Sequence, residues 1–458
     1  MTIRQMRNEF EGWPFYESSF DTETGTLVRV TEESEDGNRF DGFLANHPQW
    51  GQDLSGYPGK LPMNCPKGEE REQAAGALKT WREQNPTLEQ RWQMSGPGGR
   101  RGYNRNLAFS PVPETIDVKI TNACGFSCPY CYMGSGSTGK HAPFRLIEKI
   151  FEGLLQAPYQ VAIGGGEPTL HPELPNILHL IRSQGTVPNF TTAGHHLRAD
   201  VIDAVNEFGG GVALTYHPHK GIAWFTKTFQ RWKEALRPGI QLNVHVIADR
   251  DGAASLGALL STFEGTQGVD PSDLNLVLLA YHPGLGRATM SRVMPKRVYM
   301  DSFPAAIIRA REMGAKVAFS EGLLPFFLSR PELGLDLTFA TAIEGRFSCY
   351  VDDKGFVSIS SFDPPGRNPE YESSIYETRL QDIWDAPKWW NRDPNGGPCY
   401  DCNFRPRCSA MDPTLQFTCK WQNVNTPSDG PPLTREAQEQ QEFWAHIEEE
   451  AAKDKGDK

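Results

Sequence analysis

The chain has 458 residues, and its 46 Lys and Arg against 57 Asp and Glu give a formal net charge of −11 at pH 7. This length predicts two or three domains with room for a sizeable core. The acidic balance argues against a broad nucleic-acid interface. The first residues, MTIRQMRNEF, lack the apolar stretch of a signal peptide, and no run of about 18 apolar residues follows. We therefore expect a cytoplasmic protein without a membrane span.

Residues 1–112 are rich in Gly, Pro and charged residues and are predicted to form an N-terminal extension of unknown role. Within them, TLVRVTEESEDGNRFDGFL predicts a hairpin around Glu35–Asn38, and GEEREQAAGALKTWREQ predicts a helix. The glycine-rich stretch at 96–104, GPGGRRGYN, reads as a linker into the next domain.

From Thr115 the pattern alternates between strands and helices, and we assign residues 113–328 to one α/β domain. The predicted strands are TIDVKI, QVAIG, VPNFTT, GVALTY, IQLNVHVI, LNLVLLA and AKVAFS. FRLIEKIFEGLLQ is an amphipathic helix, and PELPNILHLIRSQG is a helix that stops at Gly185. Six or seven such units indicate either a parallel barrel or an open doubly wound sheet, and both place the active site at the C-terminal ends of the strands.

Three of the nine cysteines follow the first predicted strand as C-x3-C-x2-C, in NACGFSCPYCYMG. Structural zinc needs four ligands, and the nearest additional candidate, His141, lies beyond a Gly/Ser loop. A cubane iron–sulfur cluster also has four corners, so that Cys124, Cys128 and Cys131 leave one iron open to a small molecule. An open coordination position is typical of a catalytic metal site.

The next predicted strand runs into GGGEP at residues 164–168, at the same end of the sheet. Glycines there expose backbone groups to a nearby ligand, and the Glu167 carboxylate suits a ligand ammonium group. With Cys124, Cys128, Cys131 and Tyr130, these residues make the chain similar to the radical S-adenosylmethionine (SAM) enzymes over roughly residues 113–325.

That resemblance implies a partial (β/α)6 TIM-type barrel that binds a [4Fe–4S] cluster and SAM. It implies that one electron from the reduced cluster cleaves SAM to methionine and a 5′-deoxyadenosyl radical, which takes a hydrogen atom from the substrate. Cys124, Cys128 and Cys131 would be the cluster ligands. Gly165, Gly166 and Glu167 would hold the methionyl ammonium, and Tyr130 would pack against adenine.

Later family motifs are weaker in this chain. Thr192-Ala193-Gly194 stands where Thr-Asn-Gly is expected, so that an amide near the cofactor is missing. Thr215, in the fourth predicted strand, occupies the position of a ribose-contacting hydroxyl. On the fifth strand Asn243 and His245 share one face with Gln241, and we expect Asn243 and His245 to contact the cofactor or the substrate, although buried core polar groups are the alternative.

Residues 340–425 form a predicted loop-rich domain that carries further cysteines, and residues 426–458 a charged helix or tail. Cys399, Cys402, Cys408 and Cys419 supply four thiolates, which suit either zinc or a closed iron–sulfur cluster. The domain resembles the SPASM domains of radical SAM enzymes, which bind two auxiliary clusters. Ser360 and Asp412 replace two expected ligands, so that the resemblance implies one auxiliary [4Fe–4S] cluster and a vestigial first site. Cys349 would then be a free thiol or a ligand of a degenerate cluster.

SPASM-bearing relatives mostly modify peptides or proteins, which predicts crosslinking, epimerisation or oxidation of a peptide substrate. An electron donor such as flavodoxin or ferredoxin is implied. The alternatives are radical oxidation of a small molecule such as a sugar or alcohol, and a non-catalytic iron–sulfur or zinc-binding interaction protein. Radical modification of tRNA is disfavoured because the chain lacks a basic stripe.

Overall fold

The structure is a computed structural model that describes residues 3–10, 13–25, 27–32, 40–45, 110–264, 271–294, 298–328, 330–335, 344–345, 347–362 and 373–385. Its centre is a sheet of ten strands flanked by helices. Seven strands run parallel in sequence order, β5 Thr115–Thr121, β6 Gln160–Gly165, β7 Val187–Thr192, β8 Gly211–Thr215, β9 Gln241–Ala248, β10 Asn275–Ala280 and β11 Lys316–Phe319. All seven were predicted from the sequence.

Six helices connect these strands: α1 Arg145–Phe151, α2 Leu174–Ser183, α3 Ala199–Phe208, α4 Ile222–Ala235, α5 Gly252–Glu264 and α6 Phe303–Glu312. The α/β architecture with a partial TIM-type barrel is thereby confirmed, and β11 is one edge of the sheet in the described residues. Helix α2 ends as its sequence predicts, since Gly185 has a φ of 77°. Helix α1 is shorter than its apolar pattern, because the chain turns at Gly153, whose φ is 78°.

The hydrophobic core lies between the strands and these helices. On β5 the residues Ile116, Val118 and Ile120 face the helices and are fully buried. Leu146, Ile147 and Ile150 form the buried stripe of α1 that packs against the sheet. Because side chains alternate along a strand, the neighbouring polar residues of β5 face the other way, into the barrel.

The N-terminal strands form a separate antiparallel sheet in the order β1 Ile3–Phe10, β2 Trp13–Asp21, β3 Leu27–Glu32 and β4 Phe40–Ala45. The predicted hairpin is confirmed as β3 and β4. The first two strands were not predicted. The helix expected at 68–84 and the linker at 96–104 lie outside the described residues.

The first two strands of this small sheet cover the N-terminal ends of β6 and β7. The Arg4 guanidinium donates hydrogen bonds to the carbonyls of Pro158 (2.6 Å) and Gly185 (2.7 Å), which precede β6 and β7. The Phe20 ring stacks on Tyr159, with centroids 5.0 Å apart. The Tyr159 hydroxyl lies 2.9 Å from Ser18 Oγ in the same buried contact. The cover therefore combines apolar packing with paired polar groups.

At the other side of β5 the sheet is extended by β12 Ser348–Val351, β13 Phe356–Ser358 and β14 Ser373–Ser374. Strand β12 runs parallel to β5, and β13 and β14 return antiparallel. Two short helices complete the described part, α7 Leu324–Leu328 and α8 Leu380–Asp385. No helix in the described ranges combines the length and the apolarity that crossing a membrane requires.

Candidate active site

The three-cysteine loop begins where β5 ends and is held by its own backbone. Cys124 N donates to Gly136 O (2.9 Å), and Gly136 N donates to Asn122 O (3.2 Å). Gly139 is required at the base of this loop, because a Cβ there would lie 1.9 Å from Asn122 O. The loop thus folds back on the strand end from which it starts, and its cysteines stand at the C-terminal end of the sheet.

Arg287, in the loop after β10, fixes the far side of the cysteine loop. Its Nε donates to Cys128 O (2.9 Å), and its terminal nitrogens donate to Gly134 O (3.1 Å) and Ser135 O (2.8 Å). Its backbone N–H donates to Cys131 O at 2.8 Å. One arginine therefore bonds four carbonyls of the loop and places a positive charge beside the thiols.

The three thiols share one electrostatic environment. Burial raises the pKa of Cys128 to about 12; Cys124 and Cys131 add to this increase, while a hydrogen bond from Tyr130 and the charge of Arg287 oppose it. The pKa of Cys124 is also raised, chiefly by burial, with smaller contributions from Glu167 and Cys131. A bound metal cation would relieve the repulsion between the thiolates. Binding it requires the thiols to lose their protons.

The glycines after β6 allow this strand end to approach the cysteine loop. Gly166 N donates to Thr121 O (2.7 Å), and Glu167 N donates to Ala123 O (2.8 Å). A Cβ at Gly166 would lie 2.2 Å from Ala123 O, whereas a Cβ at Gly164 would meet no atom within 4 Å. Glycine is therefore needed at position 166 because two backbone segments pack closely there. This reason is additional to the predicted contact with a ligand.

Glu167 is fully buried beneath this junction. Its Oε1 accepts hydrogen bonds from Thr169 N (3.1 Å), Thr169 Oγ1 (2.6 Å) and Thr192 Oγ1 (2.6 Å). Its Oε2 accepts from Ala193 N (2.8 Å) and lies 3.9 Å from His195 Nδ1. Oε1 is saturated, and Oε2 retains capacity for one more donor.

A group of histidines that the sequence analysis did not single out lies beside the cysteines. His195 follows β7, and His217 and His219 follow β8. Both His195 and His217 pack against the Phe126 ring, with centroids 4.4 and 4.8 Å apart. The ligand atoms of Cys128, His217 and His219 lie within 4.8 Å of one another. The sequence could have indicated these histidines, because they closely follow predicted strands.

Tyr130, predicted to pack against adenine, is buried within this group. Its hydroxyl lies 2.9 Å from His217 Nδ1, and the Arg292 guanidinium lies 5.2 Å from its ring centroid. Arg292 is in turn held by Asp249, to which its Nε donates at 3.0 Å. The Tyr130 side chain is therefore fixed from the ends of β8 and β9 and from the loop after β10.

The other predicted cofactor-contacting residues line the barrel interior. Thr215 and His245 are paired neighbours on β8 and β9, and Asn243 lies two residues before His245 on the same face. Burial lowers the pKa of His245 to about 4, so that its imidazole is neutral at pH 7. On β5, Lys119 forms an ion pair with Asp353 at 3.1 Å. The interior is thus lined by polar groups, and their contact with a ligand stays a prediction.

The predicted C-terminal ligands Cys399, Cys402, Cys408 and Cys419, and Asp412, lie outside the described residues. Cys349 is a free thiol buried in the core on β12, and burial raises its pKa well above the ordinary value. Ser360 is buried, and its hydroxyl donates to Glu344 Oε1 at 2.8 Å. Within the described ranges no set of three or more metal-ligating side chains includes Cys349.

Comparison with known sequences gives a family for the central part of the chain. Residues 118–237 match the model of the radical SAM superfamily. A putative glycyl-radical enzyme activating enzyme of Methanocaldococcus jannaschii is 31% identical over 87 residues, which are 18% of this chain and 33% of that protein. A probable GTP 3′,8-cyclase of Metallosphaera sedula is 28% identical over 196 residues, 39% of this chain and 59% of that protein. The chain thus spans between a third and three-fifths of these relatives.

Solved structures extend the likeness in fold. Streptococcus suis SuiB bound to the precursor peptide SuiA has a TM-score of 0.53 and 12% identity, covering 76% of this chain and 80% of that one. SuiB bound to S-adenosylmethionine has a TM-score of 0.52 and 14% identity, covering 76% and 79%. At this identity the likeness concerns the fold, which extends beyond the residues matched by the family model.

The residues present suit the cofactors of this family. Three thiols whose anionic forms repel one another stand on one loop beside a compensating guanidinium, and a carboxylate oxygen of Glu167 with spare acceptor capacity lies at the adjoining strand end. Buried nitrogens of His195 and His217 have no hydrogen-bond partner among the described residues, as expected where a ligand completes the site. The chain therefore carries a radical SAM domain, and the cofactors of that family are a [4Fe–4S] cluster and S-adenosylmethionine.

Proposed function

We propose that the chain is an enzyme that cleaves SAM reductively and uses the resulting radical to modify a peptide or protein. The observation that carries this proposal is the set of three thiols, Cys124, Cys128 and Cys131, on one loop at the C-terminal end of the sheet. When bound, the cluster supplies one electron that cleaves SAM to methionine and a 5′-deoxyadenosyl radical, which takes a hydrogen atom from the substrate.

In this proposal each part of the site has a separate task. The cysteines hold three corners of the cluster, and Arg287 holds the loop that carries them. Glu167 Oε2, at the strand end next to that loop, accepts a hydrogen bond from the methionyl ammonium. Phe126 and Tyr130 pack over the cysteines and restrict the access of water. Thr215, Asn243 and His245 line the interior that the remaining ligand atoms enter.

The test is formation of 5′-deoxyadenosine by anaerobically reconstituted protein with dithionite and SAM. We expect the wild type to form it and the Cys124→Ala, Cys128→Ala, Cys131→Ala triple variant to form none. Cys349→Ala is the matched control, since it removes a buried thiol remote from the loop, and it should retain cleavage if folded. A normal yield from the triple variant would refute the proposal.

A peptide substrate is supported by the likeness to SuiB, whose structure contains a precursor peptide. The small-molecule alternative is supported by the relatives named as probable GTP 3′,8-cyclases. Substrates can be compared by their stimulation of 5′-deoxyadenosine formation and by deuterium transfer from labelled substrate. Stimulation by a short peptide encoded beside the gene would support peptide modification, and stimulation by GTP or a sugar alone would contradict it.

A zinc-binding interaction protein is the second candidate function. It is favoured by the close approach of Cys128, His217 and His219, a ligand set that suits mononuclear zinc. The colour of the reconstituted protein distinguishes the two candidate functions. A reconstituted iron–sulfur protein is brown and loses absorbance with dithionite, whereas a zinc protein stays colourless.

We further propose one auxiliary cluster, held by Cys399, Cys402, Cys408 and Cys419. The partly buried hydrogen bond between Ser360 and Glu344 supports a vestigial first auxiliary site, because these groups already satisfy each other. Fully reconstituted protein should contain about eight irons and the triple-alanine variant about four, at four per cubane. A wild-type content of about twelve would contradict the single auxiliary cluster.

A further inference from the structure

Cys128 differs from the other two cysteines of the loop in what surrounds its sulfur. His217 Nδ1 lies 3.5 Å from Cys128 Sγ, and the Tyr130 hydroxyl lies 2.9 Å from the same nitrogen. A hydrogen bond from Tyr130 is also among the causes that lower the pKa of the Cys128 thiol. Cys124 Sγ accepts one backbone hydrogen bond, from Phe126 N at 3.5 Å. In the part of the chain that the structure describes, Cys131 Sγ has no side-chain donor. One of the three sulfurs therefore has a polar side-chain environment of its own.

The two side chains also contact each other, with 2.9 Å between the Tyr130 hydroxyl and His217 Nδ1. Their rings are nearly parallel, at an interplanar angle of 14°. Both residues are more than nine-tenths buried. Phe126 packs against His217, and Arg292 lies against the Tyr130 ring. The pair is thus held by contacts with other elements as well as by its position beside Cys128.

When Cys128 is a thiolate, its negative charge determines where the two protons of this triangle lie. The Tyr130 hydroxyl has one proton to donate, and the tautomer of His217 with hydrogen on Nδ1 has a second. Both protons are drawn toward the sulfur because it is the anionic acceptor, and the proton on Nδ1 is shared with the Tyr130 oxygen 2.9 Å away. In this arrangement His217 Nε2 is a bare acceptor, and it has no partner among the described residues.

Hydrogen bonds to cluster sulfurs are among the factors that set the reduction potential of an iron–sulfur cluster. Reduction adds one electron from a low-potential one-electron donor and makes the cluster and its thiolates more negative. A donor that points at a thiolate therefore stabilises the reduced form more than the oxidised form. The potential rises, and the electron is easier to supply.

We propose that Tyr130 and His217 are positioning residues that donate hydrogen bonds to Sγ of the cluster-ligating Cys128 and so raise the reduction potential of the cluster. This inference rests on the proposed function, since it assumes that Cys128 ligates the cluster that cleaves SAM. It adds a task to Tyr130 beyond packing against adenine, and it gives a task to His217. The hydroxyl of Tyr130, rather than its ring, carries the effect.

The test is a redox titration of the reconstituted holoenzyme, followed by electron paramagnetic resonance, with the catalytic cluster recognised by its spectral change on addition of SAM. Tyr130→Phe removes the hydroxyl and keeps the ring. His217→Phe removes the nitrogen donor, and His217→Asn restores a donor near the position of Nδ1. Tyr132→Phe is the matched control, because Tyr132 also neighbours Cys131 but its hydroxyl contacts Ser361 Oγ at 3.2 Å.

We expect a more negative potential in Tyr130→Phe and in His217→Phe, and a still more negative one in the double variant. His217→Asn and Tyr132→Phe should stay close to the wild type, and all variants should retain the iron of the wild type. An unchanged potential in Tyr130→Phe and His217→Phe at full iron content would overturn the proposal.

If His217→Phe fails to fold or to retain iron, Tyr130→Phe decides alone, since it removes a single oxygen atom. Loss of iron from Tyr130→Phe would also overturn the proposal, because the pair would then serve cluster assembly rather than the potential. A wild type whose spectrum does not respond to SAM would refute the proposed function, and this inference with it.

Discussion

At the N-terminal ends of β6 and β7 the barrel is covered by β1 and β2, whose polar groups pair with residues at those ends. The C-terminal ends carry buried polar atoms that lack partners among the described residues. At the covered end Arg4 bonds backbone carbonyls, and Tyr159 is both stacked and hydrogen-bonded. At the open end, nitrogens of His195 and His217 have no hydrogen-bond partner among the described residues. Nδ1 of His245, on β9, likewise has no hydrogen-bond partner among the described residues.

An unpaired buried polar atom costs folding free energy of about 1–3 kcal/mol, so that stability alone does not explain its presence. The cost is expected where a ligand supplies the missing partner. The comparison thus assigns stability to the N-terminal end and ligand binding to the C-terminal end. Substitutions at the two ends should separate these roles.

The largest effect is expected at the junction of the cysteine loop and β6. In Gly166→Ala the new Cβ would lie 2.2 Å from Ala123 O, a backbone atom that cannot move without shifting the loop. We expect a loss of about 1–3 kcal/mol in the free energy of unfolding, and reduced iron content. Denaturant unfolding and iron analysis measure these two effects.

Gly164→Ala is the matched control for that substitution. Its Cβ would meet no atom within 4 Å, so its stability should stay within about 0.5 kcal/mol of the wild type. Equal losses of stability and iron in the two variants would show that close packing is not the reason for glycine at 166.

A smaller loss of stability, without loss of chemistry, is expected at the covered end. Arg4→Ala removes charge-assisted hydrogen bonds to Pro158 O and Gly185 O and should cost about 1 kcal/mol, because partial exposure of the side chain weakens these bonds. The yield of 5′-deoxyadenosine per folded molecule should be unchanged. Arg145→Ala, which removes an exposed ion pair with Glu148, serves as the control and should change stability by less than about 0.5 kcal/mol.

One result for Arg4→Ala would contradict this account: a folded protein that retains its iron but no longer cleaves SAM. That result would show that the N-terminal sheet takes part in the chemistry. The division of roles between the two ends would then be wrong.

The smallest effect concerns His245 and pH. Burial lowers its pKa in the folded protein to about 4, below the 6.5 of an unperturbed histidine, so the folded state binds fewer protons than the unfolded state. The stability from keeping His245 neutral is complete above pH 6.5 and declines as the pH falls toward 4. Between pH 6.5 and 5.5 the wild type should lose about 1 kcal/mol more than His245→Gln.

Unfolding by denaturant at several pH values measures both proteins. Parallel curves for the wild type and His245→Gln would mean that His245 is accessible to water and titrates normally.

The sequence predicted the strands of the barrel because their apolar runs are local signals. The cysteine loop and GGGEP were likewise found because both motifs are contiguous and follow strand ends. Burial on the fifth strand also follows the predicted alternation, with Val244 and Val246 buried and Asn243 and His245 less so.

Other features were missed because they depend on contacts between distant residues. Arg287 is separated from Cys128 by 159 positions, and no local pattern links the two. Strands β1 and β2 carry mixed polar and apolar residues, so their pairing with each other and their contact with the barrel decide their structure. The Tyr130–His217 contact likewise joins residues 87 positions apart.

The central claim is that Cys124, Cys128 and Cys131 hold a cluster with one open iron that binds SAM. The most direct measurement is the electron paramagnetic resonance spectrum of the dithionite-reduced protein before and after addition of SAM, in the wild type and in the triple-alanine variant. We predict that SAM changes the wild-type spectrum and leaves that of the variant unchanged. A wild-type spectrum that SAM does not alter would contradict the claim.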